Sequence, residues 1–374
     1  MEEMLRSIRR VCSAGLDSVT LRRSLAHRMA SHVPFGAYAF STCDPDTGLM
    51  THTVAEGIPE SLGRDYVDRV YPDDATIWID VARRQTAMFS MLEMSPAARD
   101  LFRGHGVGTH IHLALTVERR LWATWCMMRG DVSPLQTTRS LAILRRAAPH
   151  IARAFRAATL IDQAYALDAA SATPEEAAGG PGVVVLDGEN RPTVRTALAK
   201  RWLLDLADAG VPESRDVPLS VVSLAARLRT SRSDVPPEIL LRLRGASGRW
   251  YALRGALAEP DESGSASVVV VVRPAARREI APLLGRLYGL SEREREVVAA
   301  IARGEPTKCI AVSLGVSTHT IEEHLERACR KIGVRGRKAL VARLFIDGHA
   351  PSLMAPLPPA RARVSDSSAH PVRQ

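Results

Sequence analysis

The sequence predicts a multidomain α+β protein that ends in an all-α bundle of four short helices. Three observations carry that expectation. Paired strand patterns around tight polar turns alternate with helical stretches up to about residue 166. A strand–turn–helix start and three closing strand patterns occupy 182–273. From residue 290 onward, helix caps and apolar spacings of three and four replace the strand alternation.

The chain's 374 residues suffice for two or three domains with ordinary cores, and 46% hydrophobic with 24% charged residues is a globular composition. A formal net charge of +9 favours a polyanionic partner. Lysine occurs only at Lys200, Lys308, Lys331 and Lys338, and so uniform an arginine bias reads as genome composition. Cys12, Cys43, Cys126, Cys309 and Cys329 are scattered without CxxC spacing, so they read as reduced thiols and not as a disulfide framework or a zinc site. The N-terminal stretch mixes charge throughout, and no apolar run approaches the roughly 18–20 residues a bilayer requires. A soluble cytoplasmic protein without membrane contact is expected.

Residues 17–166 open with a helix, "SVTLRRSLAHRMASHV". The strands "GAYAFST" and "LMTHTV" follow around "DPDTG". A helical stretch near 59–83 leads to the strand "TAMFSML", then to a second hairpin, "THIHLALTV" and "LWATWCMM", around "ERR". A long helix, about 134–166, closes the segment. This order resembles a GAF-type sensory domain, which implies an antiparallel sheet in an α+β sandwich. In the closing helix Leu144, Ala147, Ile151, Ala154, Ala158, Ile161 and Tyr165 form a heptad seam. That seam either pairs two subunits or covers the domain's own sheet.

"DAASATPEEAAGGPG" (168–182) reads as a linker. In 182–273, "GVVVLDGENRPTVRTALAKRWLLDLA" gives a strand, a polar turn and a helix, and "EILLRLRG", "RWYALRGAL" and "SASVVVVVRP" give three strands. The segment resembles a PAS-type fold, although its middle carries no motif, and a plain α+β spacer domain is the alternative. Residues 274–289 form a connector, and the proline-, serine- and arginine-rich 350–374 is expected to be a disordered tail. The sequence shows no internal repeat.

The functional signal lies in 290–349. Ser291 with Glu294 makes a capping box. Val297, Val298, Ile301 and Ala302 face inward, and Gly304 ends the first helix. The second starts near Pro306–Thr307 and points Ile310, Ala311 and Leu314 inward; Gly315-Val316-Ser317 is a tight turn. Ser317 caps the third helix, with Thr320 at N3, and a fourth runs roughly from Arg337 to Phe345. Two short helices joined by a glycine-containing turn describe a helix-turn-helix.

"LSEREREV", "GEPTKCIA", "LGVSTHTIEEHL" and "RKIGVRGRKAL" resemble, in order and spacing, the LuxR-type DNA-binding domain. The resemblance implies a transcription factor whose third helix enters the major groove of double-stranded DNA. The expected contacts are Thr307, Lys308, Ser317, Thr318, His319, Thr320, Glu322, Glu323, Arg327, Arg330 and Lys331. The family is usually a homodimer, and Val334, Leu340, Val341 and Leu344, with Ile151 and Ala158 of the long helix, are the expected dimer contacts.

At about 100° per residue, Ile321, Leu325, Ala328 and Ile332 share the buried side of the third helix. His319, Glu323, Glu326 and Arg330 lie opposite, with Glu322 on the flank. Carboxylates there oppose phosphate, and the family commonly has lysine or glutamine where Glu322 stands. Several effects compete with that repulsion: the helix N-terminus, i,i+4 pairing of Glu323 with Arg327 and of Glu326 with Arg330, and cytosine N4 as a donor to carboxylate. The surrounding cations Lys308, Arg327, Arg330, Lys331, Arg335, Arg337 and Lys338 act in the same sense.

His105, His110 and His112 have no acidic or cysteine partner close in sequence, so no metal is expected, and "GHGVG" lacks the setting of a nucleotide loop. Trp78, His110, His112 and Trp125 are candidates for lining a ligand pocket. No nucleophile elbow is present and no cofactor is implied, so no enzyme is expected. These readings combine into a one-component DNA-binding regulator under an unknown small-molecule or protein signal. The alternative is a regulator whose acidic third helix docks a partner protein.

Overall fold

The computed structural model describes residues 2–71, 88–90, 95–130, 138–169, 180–208, 217–230, 239–260, 266–275, 279, 286, 288–302 and 304–340, with the side chains of 88–90, 138, 160–169, 260 and 302 left aside. The 168–182 linker and the 274–289 connector are described only in part, and the 350–374 tail lies outside these residues, as do Trp78, Val341 and Leu344. The chain divides into two compact units, Met1–Leu290 and Ser291–Gln374.

The first unit opens with α1 (Glu2–Cys12) and α2 (Ser18–Ala30), then β1 (Ala37–Cys43) and β2 (Met50–Glu56). Asp17 caps α2 by accepting from the Val19 and Thr20 N–H groups. Helix α3 (Glu60–Asp65) continues into a wider π-type turn, Tyr66–Val70. Next come β3 (Met88–Ser90), α4 (Pro96–Gly104), β4 (Thr109–Val117), β5 (Arg120–Arg129) and α5 (Thr138–Ala169). The β4–β5 hairpin turns through Glu118 and Arg119, at φ 52 and 62, the left-handed pair that a two-residue turn matching strand twist requires.

These strands form one antiparallel sheet in the order β2-β1-β5-β4-β3. Alternation along β4 sends Ile111, Leu113 and Leu115 to the face packed by α1, α2 and α5, while His110, His112 and Ala114 point to the other. On the helical face Trp125 stacks on Phe40 at 4.5 Å, and Phe40 meets Phe155 of α5 at 4.9 Å. Ile151 and Ala158 are 0% and 1% exposed in this core, so the chain's own sheet and α1 take the heptad face. Of the two uses the sequence allowed, covering the sheet is the one seen from Leu144 to Ala158, while the side chains of Ile161 and Tyr165 lie outside those described. Ile151 and Ala158 are therefore not dimer contacts: a side chain buried by its own domain has no surface left for a second copy.

The second half of this unit runs β6 (Gly182–Leu186), β7 (Pro192–Arg195), α6 (Ala197–Asp205), α7 (Leu219–Arg229), β8 (Ile239–Arg244), β9 (Trp250–Pro260) and β10 (Ala266–Pro274). Its sheet order is β7-β6-β10-β9-β8. Numbered within each half, both sheets read 2-1-5-4-3, a structural repeat that the residues do not display. Helix α7 falls in the segment without a motif. Nine of its eleven residues are buried, Leu219 to Ala226 and Leu228, because one side lies on the second sheet and the other on the first half. Gly255 of β9 admits that approach, since a Cβ there would sit 2.6 Å from Leu228 Cδ1.

The halves share one hydrophobic cluster running from Leu62 and Phe102 through α7 to Val268, Val270 and Val272. A buried ion-pair cluster adds to it. Asp44, in the β1–β2 turn, accepts from Arg242 Nε and Nη2 at 2.9 Å each, with side chains 0% and 4% exposed. Arg242 also meets Asp46, which pairs with Arg120 at 3.1 Å and Arg286 at 2.5 Å. Burial works against the charge on Asp46, but Arg242 and Arg286 hold its carboxyl below the usual carboxylate range.

The second unit holds α8 (Glu292–Ala302), α9 (Thr307–Leu314), α10 (Thr318–Ile332) and a helical turn over 336–340. Val297, Val298, Ile310, Ile321, Ala328 and Leu340 are the buried centre. Leu325 and Leu314 are only half-buried, and Cys329 takes the inward place expected of Leu325.

Candidate nucleic-acid interface

Backbone chemistry builds the interface. Ser291 Oγ accepts from the Glu294 N–H at 3.3 Å and Glu294 Oε2 from the Ser291 N–H at 2.7 Å, completing the capping box. Gly315 ends α9 at φ 65, and its N–H reaches Ala311 O and Val312 O. This left-handed turn brings Ser317 to the start of α10, where its Oγ accepts from the Thr320 N–H at 3.0 Å. The first-turn amides of Thr318 and His319 have no intrahelical acceptor, so the N-terminus of α10 presents donors and partial positive charge.

The outward face of α10 carries Thr318, His319, Glu322, Glu323, Glu326, Arg327 and Arg330, all exposed. Arg327 donates to Glu323 Oε2 at 3.2 Å and to Glu323 O, and Arg330 donates to Glu326 Oε1 at 3.2 Å. His319 Nε2 lies 3.5 Å from Glu323. Two of the three carboxylates are thus matched by cations one turn on. Glu322 has no cationic partner among the described residues, and its neighbour at i+4 is Glu326.

The expected contacts divide. Lys308, Thr318 and His319 are open to solvent, and Ser317 and Thr320 are spent on the cap. Thr307 is half-buried, and its Oγ1 accepts from Arg337, which also donates to Glu305 O. Lys331 is no free phosphate contact. Its Nζ sits 2.6 Å from Glu294 Oε2, whose side chain is 3% exposed, so it staples α10 to α8. Burial opposes the Glu294 charge, yet Lys331 and the Ser291 N–H hold its carboxyl below the usual range. Of the seven cations around the helix, Lys308, Arg335 and Lys338 have no partner among the described residues. Val334 is half-buried, and Leu340, at 0% exposure, belongs to the unit's own core and not to a dimer face.

The profile described as "Bacterial regulatory proteins, luxR family" matches residues 289–344. The spore germination protein GerE of Bacillus subtilis (strain 168) is 40% identical over 59 residues, which are 16% of this chain and 80% of that protein. The chain belongs to the luxR family. The transcriptional regulatory protein FixJ of Rhizobium meliloti (strain 1021) is 39% identical over 67 residues, 18% of this luxR-family chain. The chain spans only 33% of FixJ's length. Among solved structures, a GAF domain/HD domain protein from Geobacter sulfurreducens is 17% identical with a TM-score of 0.32, covering 40% of this chain and 98% of its own. The Vibrio cholerae VqmA dimer is 14% identical with a TM-score of 0.21, covering 48% and 89%. At such scores neither likeness carries an argument, and the α+β class of the first unit rests on its own strand order.

The pocket candidates of this luxR-family chain fall on two faces of the first sheet. His112 lines a cavity of about 80 Å³ beneath α3 and α4, with Ser41, Thr53 and Thr124. Ser41 and Thr53 hydroxyls bond each other at 2.7 Å, and Cys126 Sγ lies 3.6 Å from His112 Nε2. His110 packs beside it, 4.6 Å from both Phe102 and His112. Burial pulls the His110 pKa down to about 4 and that of His112 well below the usual value, so both are neutral. Trp125 is not in the pocket, because strand alternation turns it to the opposite, helical face. Sequence reasoning missed Tyr71 and Leu219, which also line the cavity; Tyr71 donates to Ser223 Oγ of α7 at 2.8 Å. Leu219 reaches it across some 150 residues of sequence, a separation that no local pattern encodes. Among the described residues, no group of three or more His, Cys, Asp or Glu side chains is placed to hold a metal ion, and no helix is long and apolar enough to cross a membrane.

Proposed function

We propose that this luxR-family protein is a DNA-binding transcriptional regulator acting in the cytoplasm as a homodimer. Its first unit receives a signal and controls the helix-turn-helix. One observation carries the DNA reading: α10 is capped at Ser317 with its polar face open, and two of its three carboxylates are neutralised within the helix. The rival reading, an acidic helix docking a protein, draws on the same carboxylates and loses force where arginine meets them. For the sensory role, the support is the cavity over the first sheet, closed by Leu219 of α7, so that its contents press on the element both halves share.

Three open cations set the expected electrostatics. A slope of about −0.9 in log K against log salt per phosphate contact gives about −2.7 for each helix-turn-helix. Capture of genomic fragments by the full chain at stepped salt, beside a Lys308→Ala, Arg335→Ala, Lys338→Ala variant, tests this. Wild type should retain a specific set of fragments with that slope, and the variant should bind weakly with a flatter one. Equal, background-level recovery by both proteins overturns the reading.

A further inference from the structure

We infer that Glu322 is the base-reading residue of α10 and that it selects cytosine; this rests on the DNA-binding reading above. The three carboxylates of the exposed face are not equivalent. Glu323 is held by Arg327 and approached by His319, and Glu326 is held by Arg330. Their charge is answered within the helix, by Arg327 at Glu323 Oε2 and by Arg330 at Glu326 Oε1. Glu322, on the flank of that face, stands one turn before Glu326; its neighbours at i±4 are Thr318 and Glu326, and at i±3 they are Leu325 and His319, whose Nε2 lies 3.5 Å from Glu323. A carboxylate inserted into the major groove in that state needs a donor from the DNA.

The bases limit the choice. Guanine offers N7 and O6, both acceptors, and thymine offers O4 and a methyl group. Adenine has the N6 amino group, but its N7 acceptor lies beside it and repels a carboxylate approaching the same edge. Cytosine presents N4–H₂ with no acceptor of its own next to it, so it alone receives Glu322 without a penalty. The residue thereby acts as a filter: its uncompensated charge disfavours the other three bases more strongly than a neutral side chain would. The open amides of Thr318 and His319 fix the helix end against phosphate, which leaves register to the backbone and choice of base to Glu322.

Selection of duplexes from a randomised library by the full-length protein decides the matter. Wild type, Glu322→Gln, Glu322→Arg and Glu323→Gln are run in parallel. Both positions are exposed, so folding is not at stake. Wild type should enrich cytosine at one position of each half-site, by about tenfold over the next base. Glutamine at 322 should move that position to adenine and arginine should move it to guanine, following the forked contacts those side chains make. Glu323→Gln should leave the consensus as it is. An unchanged base at every position in both 322 variants overturns the inference while DNA binding stands, as does a switch produced by Glu323→Gln instead. Failure of wild type to enrich any duplex removes the DNA reading itself, and this inference with it.

Discussion

Replacing Arg242 with methionine should destabilise the first unit without touching the helix-turn-helix. Arg242 is 4% exposed at its side chain and Asp44 0%, and the guanidinium spans Asp44, Asp46 and the carbonyl of Glu279. Methionine keeps the aliphatic stem and deletes the charge. Asp44 would then retain only backbone donors, the N–H groups of Asp46 at 2.8 Å, Thr47 at 3.4 Å and residue 242 at 3.1 Å. Removing one partner of a buried pair costs about 3–5 kcal/mol, and the surviving donors place this case near the lower figure, about 3 kcal/mol. In a unit of this size each kcal/mol lowers the Tm by roughly 2–4 °C, so a fall of about 6–12 °C follows.

Tryptophan fluorescence reads this unit alone, because Trp78, Trp122, Trp125, Trp202 and Trp250 all precede residue 291. Asp44→Asn alone should also destabilise, since it strands part of the guanidinium. The double variant should recover at least about 1 kcal/mol relative to the sum of the singles, the sign of a direct coupling. A shift below about 1 kcal/mol for Arg242→Met, or strictly additive singles, would show that the cluster is solvated in practice and that the argument from burial is wrong.

Two further outcomes follow from the same reasoning. Lys331→Met should destabilise the helix-turn-helix by about 1–2 kcal/mol, read by calorimetry, because the 3%-exposed Glu294 loses its ammonium; an unchanged transition would mean that Lys331 is free for phosphate after all. Acid should weaken the first unit through His110. Its folded pKa is about 4 against an unfolded value near 6.5, so the unfolded chain binds the extra proton as pH falls between those values. Stability is full above about pH 7 and declines below 6.5, by about 2 kcal/mol at pH 5 from this residue alone. Denaturant titrations at pH 8 and 5 of wild type and His110→Leu should show a smaller pH difference in the variant; equal differences would refute the assignment.

How much of this was legible in sequence depends on the range of the interaction. Caps and turns were readable, because Ser291 with Glu294, Gly315 and Ser317 each act within four residues. Both hairpins of the first half were readable from alternation around short turns. Helix α7 was not: Leu219, Val221, Val222, Leu224, Ala225 and Leu228 are apolar on every side, so there is no helical stripe for a periodic search to find. The strand β7, "PTVR", is exposed along most of its length and so shows no alternation of burial. Helix α1 is hidden by the mixed charge of its stretch, although Met4, Leu5 and Ile8 form one apolar stripe, and α4 is a short helix of nine residues. The Lys331–Glu294 bridge spans 37 residues and could only have been guessed.

On the proposed sensory role, the ion-pair cluster would bear on regulation as well as on stability, because it includes residues of the connector. Arg286 is paired with the same Asp46 that meets Arg242. Glu279 accepts from Arg273 at 2.8 Å and from Arg254 at 3.3 Å, and its carbonyl accepts from Arg242. Of the connector, Glu279 is thus held from the second sheet and Arg286 from the β1–β2 turn of the first half. Asp46 is shared by Arg242 and Arg286, and Arg242 reaches carboxylates and connector together, so a shift of the β1–β2 turn against β8 strains these contacts jointly. Helix α7 bears on the same two halves from the cavity side, through Tyr71 with Ser223 and through Leu219. If a signal alters how the halves pack, as the proposed function requires, it acts on the Asp46 that holds Arg286, and Arg242→Met, which removes a partner of both Asp46 and the Glu279 carbonyl, should speed amide hydrogen exchange in the connector without any signal.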